Sequence, residues 1–157
     1  MSVVNWVFLM SFIRWDYRTI RTFNVMDDHR REGRGIDVDL SLPSERVIRS
    51  PEQIIEWRGK PKRIRCDNGP EYISNSMRTW AKDNHIKLDF IQPGKPTQNA
   101  YIERFSRTAR HDCLNMFIFQ SVEQAREIAT KWLWHYNSER SHTENGGFPP
   151  RQMSSVA

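Results

Sequence analysis

The stretch GKPKRIRCDNGPEYIS, residues 59–74, decides the fold. GKPK is a turn, and Arg63–Cys66 reads as a short strand. Asp67-Asn68-Gly69-Pro70 stops that strand, and residues 71–84 read as a helix with Met77, Trp80 and Ala81 on one side. A strand, an acidic turn and a helix in this order put a carboxylate at a strand end, where it can project into a cleft. By itself an Asp-Asn-Gly sequence is an ordinary turn.

Upstream, residues 6–13, 19–26 and 36–40 read as three strands, the last two alternating, joined by turns around Asp16 and residues 27–35 into an antiparallel meander. Residues 43–57 carry Val47, Ile48, Ile54 and Ile55 at helical spacing. Pro51 interrupts them, which predicts a kink or two short helices, the second capped by Ser50 with Gln53 closing a capping box.

Downstream, residues 86–91 read as a strand, Pro93-Gly94-Lys95-Pro96 as a loop and residues 97–114 as a helix. Ser121-Val122-Glu123-Gln124 is a capping box opening a last helix, whose apolar set is Val122, Ala125, Ile128, Ala129, Trp132, Leu133 and Tyr136. From Asn137 the chain reads as irregular. Three meandering strands followed by alternating helices and strands indicate an α/β fold, a mixed sheet flanked by helices.

Composition agrees with one folded domain. The chain has 157 residues, 38% of them hydrophobic and 11% aromatic, which argues against disorder. Net charge +5 and a pI near 9.5 favour a polyanionic partner such as nucleic acid, although mild basicity is common. Cys66 and Cys113 form no Cys-x-x-Cys pair, which speaks against a disulfide framework or zinc site and suits a reducing, cytoplasmic setting. Residues 3–13, VVNWVFLMSFI, lack a basic lead and a cleavage site and are too short to span a bilayer, so a buried strand is expected and no membrane role. Trp57, Trp80, Trp132 and Trp134 read as packing residues rather than base-stacking platforms.

Asp67 and Glu103 carry the chemistry. Hard cations prefer a few carboxylate oxygens plus water and substrate phosphate. Two-metal phosphoryl transfer needs carboxylates from separate elements. One strand-end Asp and one Glu a turn into a helix meet that need, though either could be a turn residue or a solvated charge. Asn99, Glu103, Arg107 and Arg110 fall along one stripe of the helix, either a DNA-facing surface or a solvated basic face. Lys95 and Gln98 precede Glu103, where backbone groups could meet phosphate. Lys60, Lys62, Arg63 and Arg65 cluster near the Asp67 strand.

Four segments together carry a resemblance: RTFNVMDDHRREG (21–33), GKPKRIRCDNGPEYIS (59–74), FIQPGKPTQNAYIERFSR (90–107) and WHYNSERSH (134–142). They resemble, in order and over nearly the whole chain, the insertion-sequence-3 group of bacterial transposases. Thirty-five residues separate Asp67 from Glu103, the spacing that group and retroviral integrases use for their second and third catalytic carboxylates. The resemblance implies a ribonuclease-H-like fold with a five-stranded mixed sheet over residues 1–142, followed by an irregular tail over 143–157. It implies phosphoryl transfer on DNA, the terminal repeats and target of a mobile element. Three carboxylates would hold two Mg²⁺ (or Mn²⁺) ions, with Asp67 and Glu103 as catalytic metal ligands.

The first carboxylate belongs in the first strand, in a pattern like Trp-Ser-Met-Asp-Phe. Here Met10 and Phe12 flank Ser11, which stands where the Asp should be. A neutral hydroxyl cannot replace an anionic oxygen bridging two divalent ions, so this copy is expected to be impaired. Asp16 lies five residues on, in the turn. Residues 14–18 are about three residues shorter than the hairpin of the group. Asp27 and Asp28 match an Asp-Asp pair expected to cap a turn toward Arg30 and Arg31. Ser106 stands in place of an Asn, Ser141 in place of a Pro, Glu144-Asn145 in place of small apolar residues, and His142 matches a histidine of the group. Together these departures suggest a drifting copy. No helix-turn-helix precedes Asn5, so the chain alone is expected to bind DNA weakly, through phosphates. Two functions follow. One is a transposase catalytic core, acting as a multimer. The other is a non-catalytic remnant that binds DNA or pairs with an intact transposase.

Overall fold

The computed structural model describes residues 5–15, 18–67, 69–92 and 96–138; within these, the side chains of residues 9–15, 70, 71, 96 and 98 are outside the description. Three antiparallel strands come first: β1 (Asn5–Trp15), β2 (Arg18–Asp27) and β3 (Gly33–Asp39). Helix α1 (Ser44–Arg58) leads to β4 (Arg63–Cys66), followed by the short α2 (Pro70–Ile73), α3 (Asn75–Asp83) and β5 (Lys87–Phe90). A 3-10 turn (Pro96–Asn99) opens α4 (Ala100–Asp112), and a second (Leu114–Met116) leads toward α5 (Val122–Ser138).

The five strands form one sheet in the order β3-β2-β1-β4-β5. β1 pairs antiparallel with β2 from Trp6↔Asp27 to Trp15↔Arg18, and parallel with β4 from Asn5↔Arg63 to Val7↔Arg65. The sheet is therefore mixed, as the order of elements in the sequence implies. β2 is buried on both faces because helices cover both sides. Phe8, Phe23 and Val25 face a core with Val47, Ile54, Tyr72, Met77 and Trp80, contributed by α1, α2 and α3. Val7 and Met26 face Ile102, Phe105 and Tyr136 of α4 and α5. Ile20 and Val38 face Cys113, Phe119, Ala125 and Ala129.

α1 is one helix, not two. Pro51 lies inside it, its ring buried between the core residues Val47 and Ile54. Ser50 does not cap a second helix. Its hydroxyl donates to Asp37 Oδ2 at 2.7 Å, and Arg46, one turn earlier, pairs with the same carboxylate. This grip from β3 holds both turns around the proline in line. The expected helix over 71–84 is split instead. Ser74 caps α3, its hydroxyl accepting from Met77 N–H at 3.2 Å, because a Ser-x-x spacing before an apolar stripe satisfies an orphan donor.

At α5, Ser121 Oγ accepts from Gln124 N–H at 3.1 Å as expected, but Gln124 Oε1 reaches Gln120 N–H rather than closing on Ser121. The tryptophans divide. Trp80 is buried and Trp132 packs against the core, whereas Trp57 and Trp134 are exposed. Trp57 falls in the last turn of α1, beyond Ile54, the last residue of that helix to be buried. Trp134 lies about 200° around the helix from Trp132, off the stripe of Ala125, Ala129 and Tyr136.

α4 and α5 close tightly on the start of β3. A Cβ on Gly33 would meet Leu133 Cδ1 at 2.5 Å and Phe105 Cε2 at 2.7 Å, so only glycine fits. The Asn137 amide pairs with both backbone groups of Gly33, accepting from its N–H at 2.9 Å and donating to its carbonyl at 2.8 Å.

Candidate metal centre

Asp67 follows Cys66, the last residue of β4. Its half-buried side chain turns the chain, with Oδ1 accepting from Gly69 N–H at 2.8 Å. An Asp-x-Gly sequence makes this Asx-type turn readily, and Pro70 then takes the first helical position, where no N–H is needed. Oδ2 takes no hydrogen bond among the described residues. Burial, and next the charge of Asp67, push the neighbouring Cys66 thiol up to about 12. Cys66 is a buried free thiol and behaves as a small core hydrophobe.

Glu103 stands exposed in the first turn of α4. The helix buries Ile102, Phe105, Ser106 and Ala109, at three- and four-residue spacing, and this fixes Glu103 and Arg107 on its solvent side. A carboxylate there is favoured by the positive end of the helix dipole. Arg107 is exposed and Arg110 half-buried. Asn99 departs from the stripe. It is 6% exposed, its Oδ1 without a hydrogen-bond partner among the described residues. Lys95 lies outside the described residues, as does the side chain of Gln98.

Ser11 is on β1, opposite Thr22 of β2. The parallel pairing of β1 with β4 ends at Val7↔Arg65, so Ser11 lies four residues and Asp67 two residues past the same rung. The strand that bears Ser11 is thus the immediate neighbour of the strand that Asp67 follows. Asp16 and residues 139–157, with Ser141, His142, Glu144 and Asn145, lie outside the described residues.

Asp27 and Asp28 serve the β2–β3 turn. Asp27 Oδ1 accepts from His29 and Arg30 N–H at 2.9 and 3.0 Å, and Oδ2 pairs with Arg34 at 3.0 Å. Burial would raise the Asp27 pKa, but the Arg30, Arg34 and His29 hydrogen bonds outweigh it and hold the carboxyl below its usual range. Asp28 pairs with Arg31 and Arg65. Of the basic cluster near β4, Arg65 is therefore engaged, Arg63 meets Asp89 at 3.3 Å, and Lys60 and Lys62 are exposed.

Among the described residues no group of three or more His, Cys, Asp or Glu side chains could hold a metal. Asp67 and Glu103 each offer carboxylate oxygens, a donor type that fits a hard cation.

A feature not anticipated from the sequence is a buried polar contact between β2 and α4. Asn24 Nδ2 donates to Ser106 Oγ at 2.8 Å, and both side chains are buried. The signal was present in TIRTFNVM, where Thr22 and Asn24 share one strand face with Ile20 and Met26. Ser106 read only as a departure.

Comparison with known proteins agrees with this architecture. Two family models, both described as integrase core domain, match residues 6–96 and 84–150. An uncharacterised 39.2 kDa protein of insertion element IS476 from Xanthomonas euvesicatoria is 41% identical over 87% of this chain and 40% of its own length. An uncharacterised 31.7 kDa protein of insertion element IS407 from Burkholderia multivorans is 36% identical over 87% of this chain and 50% of its own length. The chain thus spans about half the length, or less, of these relatives. Among solved structures, the HTLV-2 integrase catalytic core domain in complex with magnesium superposes with a TM-score of 0.78 at 19% identity, covering 96% of this chain and 95% of that one. This likeness shows the ribonuclease-H-like fold. With most of its length matched by that family description and its relatives borne on insertion elements, the chain belongs to the integrase core domain family, of the kind carried by bacterial insertion-sequence transposases.

Proposed function

We propose that this chain is the core of a DNA strand-transfer enzyme in which Asp67 and Glu103 hold a divalent cation, Mg²⁺ or Mn²⁺. The observation that carries this reading is the strand order. β1, with Ser11, runs beside β4, which leads into Asp67, and the solvent face of α4 supplies Glu103. When bound, the cation supplies charge against the attacked phosphate and acidifies the attacking water or 3′-hydroxyl. Asp67 is oriented for such a role by the Gly69 N–H bond, which fixes one carboxylate oxygen and leaves the other for a ligand. Glu103 is borne on a second element, α4, as a site that grips phosphate between two ligands requires.

DNA would be held by Arg107 and Arg110 farther along α4, together with Lys95 and Gln98 before it; Asn99 is buried and is not among these contacts. These groups meet phosphates, so their contribution falls with salt and carries no sequence choice. The terminal repeats and target of a mobile element are the substrates, and further copies of the chain or an intact transposase are partners. Asp67 and Glu103 would supply two of the three expected carboxylates. With Ser11 at the first position, this copy is impaired in binding a second ion.

A second reading, a non-catalytic remnant that binds DNA or pairs with an intact transposase, is favoured by the same serine. A strand-transfer assay with Mg²⁺ or Mn²⁺ on labelled terminal-repeat DNA separates the two. The enzyme reading expects little product from the chain and a clear gain in Ser11→Asp. Strong activity of the unmodified chain would overturn the role given to Ser11. No gain on restoring the carboxylate favours the remnant.

A further inference from the structure

We infer that Asn24 is a positioning residue that sets where Glu103 stands, acting through Ser106. This rests on the reading of Asp67 and Glu103 as metal ligands. Asn24 sits in β2 between two ladders, opposite Leu9 of β1 on one side and Ile36 of β3 on the other. Its backbone is therefore held from both sides, and its side chain is 1% exposed. From that fixed point Nδ2 donates to Ser106 Oγ at 2.8 Å, with a longer contact of 3.4 Å to Thr22 Oγ1.

Ser106 is three residues after Glu103 on α4. Residues three apart lie about 60° from each other around a helix and about 4.5 Å apart along it. Any slide or roll of α4 that moved the Glu103 carboxylate would move Ser106 by a similar amount and stretch its bond to Asn24. The apolar packing of Ile102 and Phe105 on Val7 and Met26 is not directional and resists such a slide weakly. A buried hydrogen bond is directional, and breaking it leaves polar atoms unpaired away from water.

Thr22 extends the link. It is the cross-strand partner of Ser11, the position expected to hold the first carboxylate. Thr22, Asn24 and Ser106 thus form a short buried polar run from the first-carboxylate position to the helix of the third. The spacing between those two positions is set by side chains that never touch the ion.

The test measures Mn²⁺ binding to the full chain by electron paramagnetic resonance, below the melting temperature of every variant. The variants are Glu103→Gln, Asn24→Leu and Ser106→Ala. Removing the Glu103 charge is expected to weaken Mn²⁺ binding about tenfold, and each positioning variant roughly threefold to fivefold, in keeping with the loss of one buried hydrogen bond. Ser106→Ala keeps the proposal testable if Asn24→Leu fails to fold. Weaker binding in Glu103→Gln with no change in the other two overturns the positioning role and leaves the metal site standing. Weaker binding in Asn24→Leu but not in Ser106→Ala also overturns it, since the effect would not run through α4. Unchanged binding in Glu103→Gln removes the metal site and the positioning role together.

Discussion

The two faces of the sheet are built differently. The face under α1, α2 and α3 is apolar at its centre, with Phe8 edge-on to Phe23 at 4.9 Å and Tyr72 beside both. The face under α4 and α5 has its own aromatic group, Phe105, Trp132 and Tyr136. It also buries Thr22, Asn24, Ser106 and Asn137. One face holds at its centre by area and shape, which tolerate small slides, and has its directional bonds, from Asp37 to Ser50 and Arg46, only toward the β3 edge. The other adds directional bonds at chosen points, which do not. The proposed ligand Glu103 is borne on the second face, and the difference suggests why: a ligand on a helix needs its helix fixed in register, not merely covered.

Truncations on each face test that division. Phe23→Ala should have the largest effect, a loss of about 3–5 kcal/mol by urea unfolding, because a fully buried ring leaves a cavity. A loss below about 1 kcal/mol would mean that the apolar face collapses around the gap. Asn137→Ala should cost about 2–3 kcal/mol, since it strips both Gly33 backbone groups of their buried partner. If that variant unfolds like the parent, the polar face is as forgiving as the apolar one and the contrast fails.

Acid sharpens the comparison at the rim of the sheet. The Asp27 carboxyl is held below its usual range, so its stabilising effect is present above its unfolded value, near pH 4, and is lost as pH falls through the lower folded value. The parent should lose stability more steeply below about pH 4 than Asp27→Asn. Matching acid curves would show that the turn does not depend on the charge. The smallest signal is thiol labelling. Burial, with Asp67 and Asp89 adding to it, pushes Cys66 up to about 12, and burial pushes Cys113 up to about 11. At pH 8 iodoacetamide should leave both unlabelled in the native chain and label both in urea. Since Cys66 lies on the apolar face and Cys113 on the other, early labelling of one would show which face opens first.

Much of this was legible in the sequence. Strand alternation, the Asp67 turn and the stripe of α5 depend on near neighbours and are legible locally, although β3 begins at Gly33, three residues before the expected Ile36. Pro51 misled because its tolerance rests on Asp37 of another strand gripping Arg46 and Ser50. Trp57 and Trp134 misled because a tryptophan off the apolar stripe is exposed whatever its hydrophobicity. The bonds from Asn24 to Ser106 and from Asn137 to Gly33 cross 82 and 104 residues of chain. Local pattern puts Asn24 on a strand face with Ile20 and Met26 but cannot name a partner so far along the chain. Asp67 and Glu103 stood out for a different reason, the motifs around them.

β1 belongs to two ladders of very different length. It runs with β2 from Trp6 to Trp15, but its described rungs with β4 stop at Val7. The outer half of the hairpin is thus tethered to one neighbour only, and the link from Trp15 to Arg18 closes it at the far end. A linker so placed can shed or gain a few residues over evolutionary time without shifting the rungs nearer the centre. A change of length beyond the Trp15↔Arg18 rung would leave the rung pairing Ser11 with Thr22 where it is.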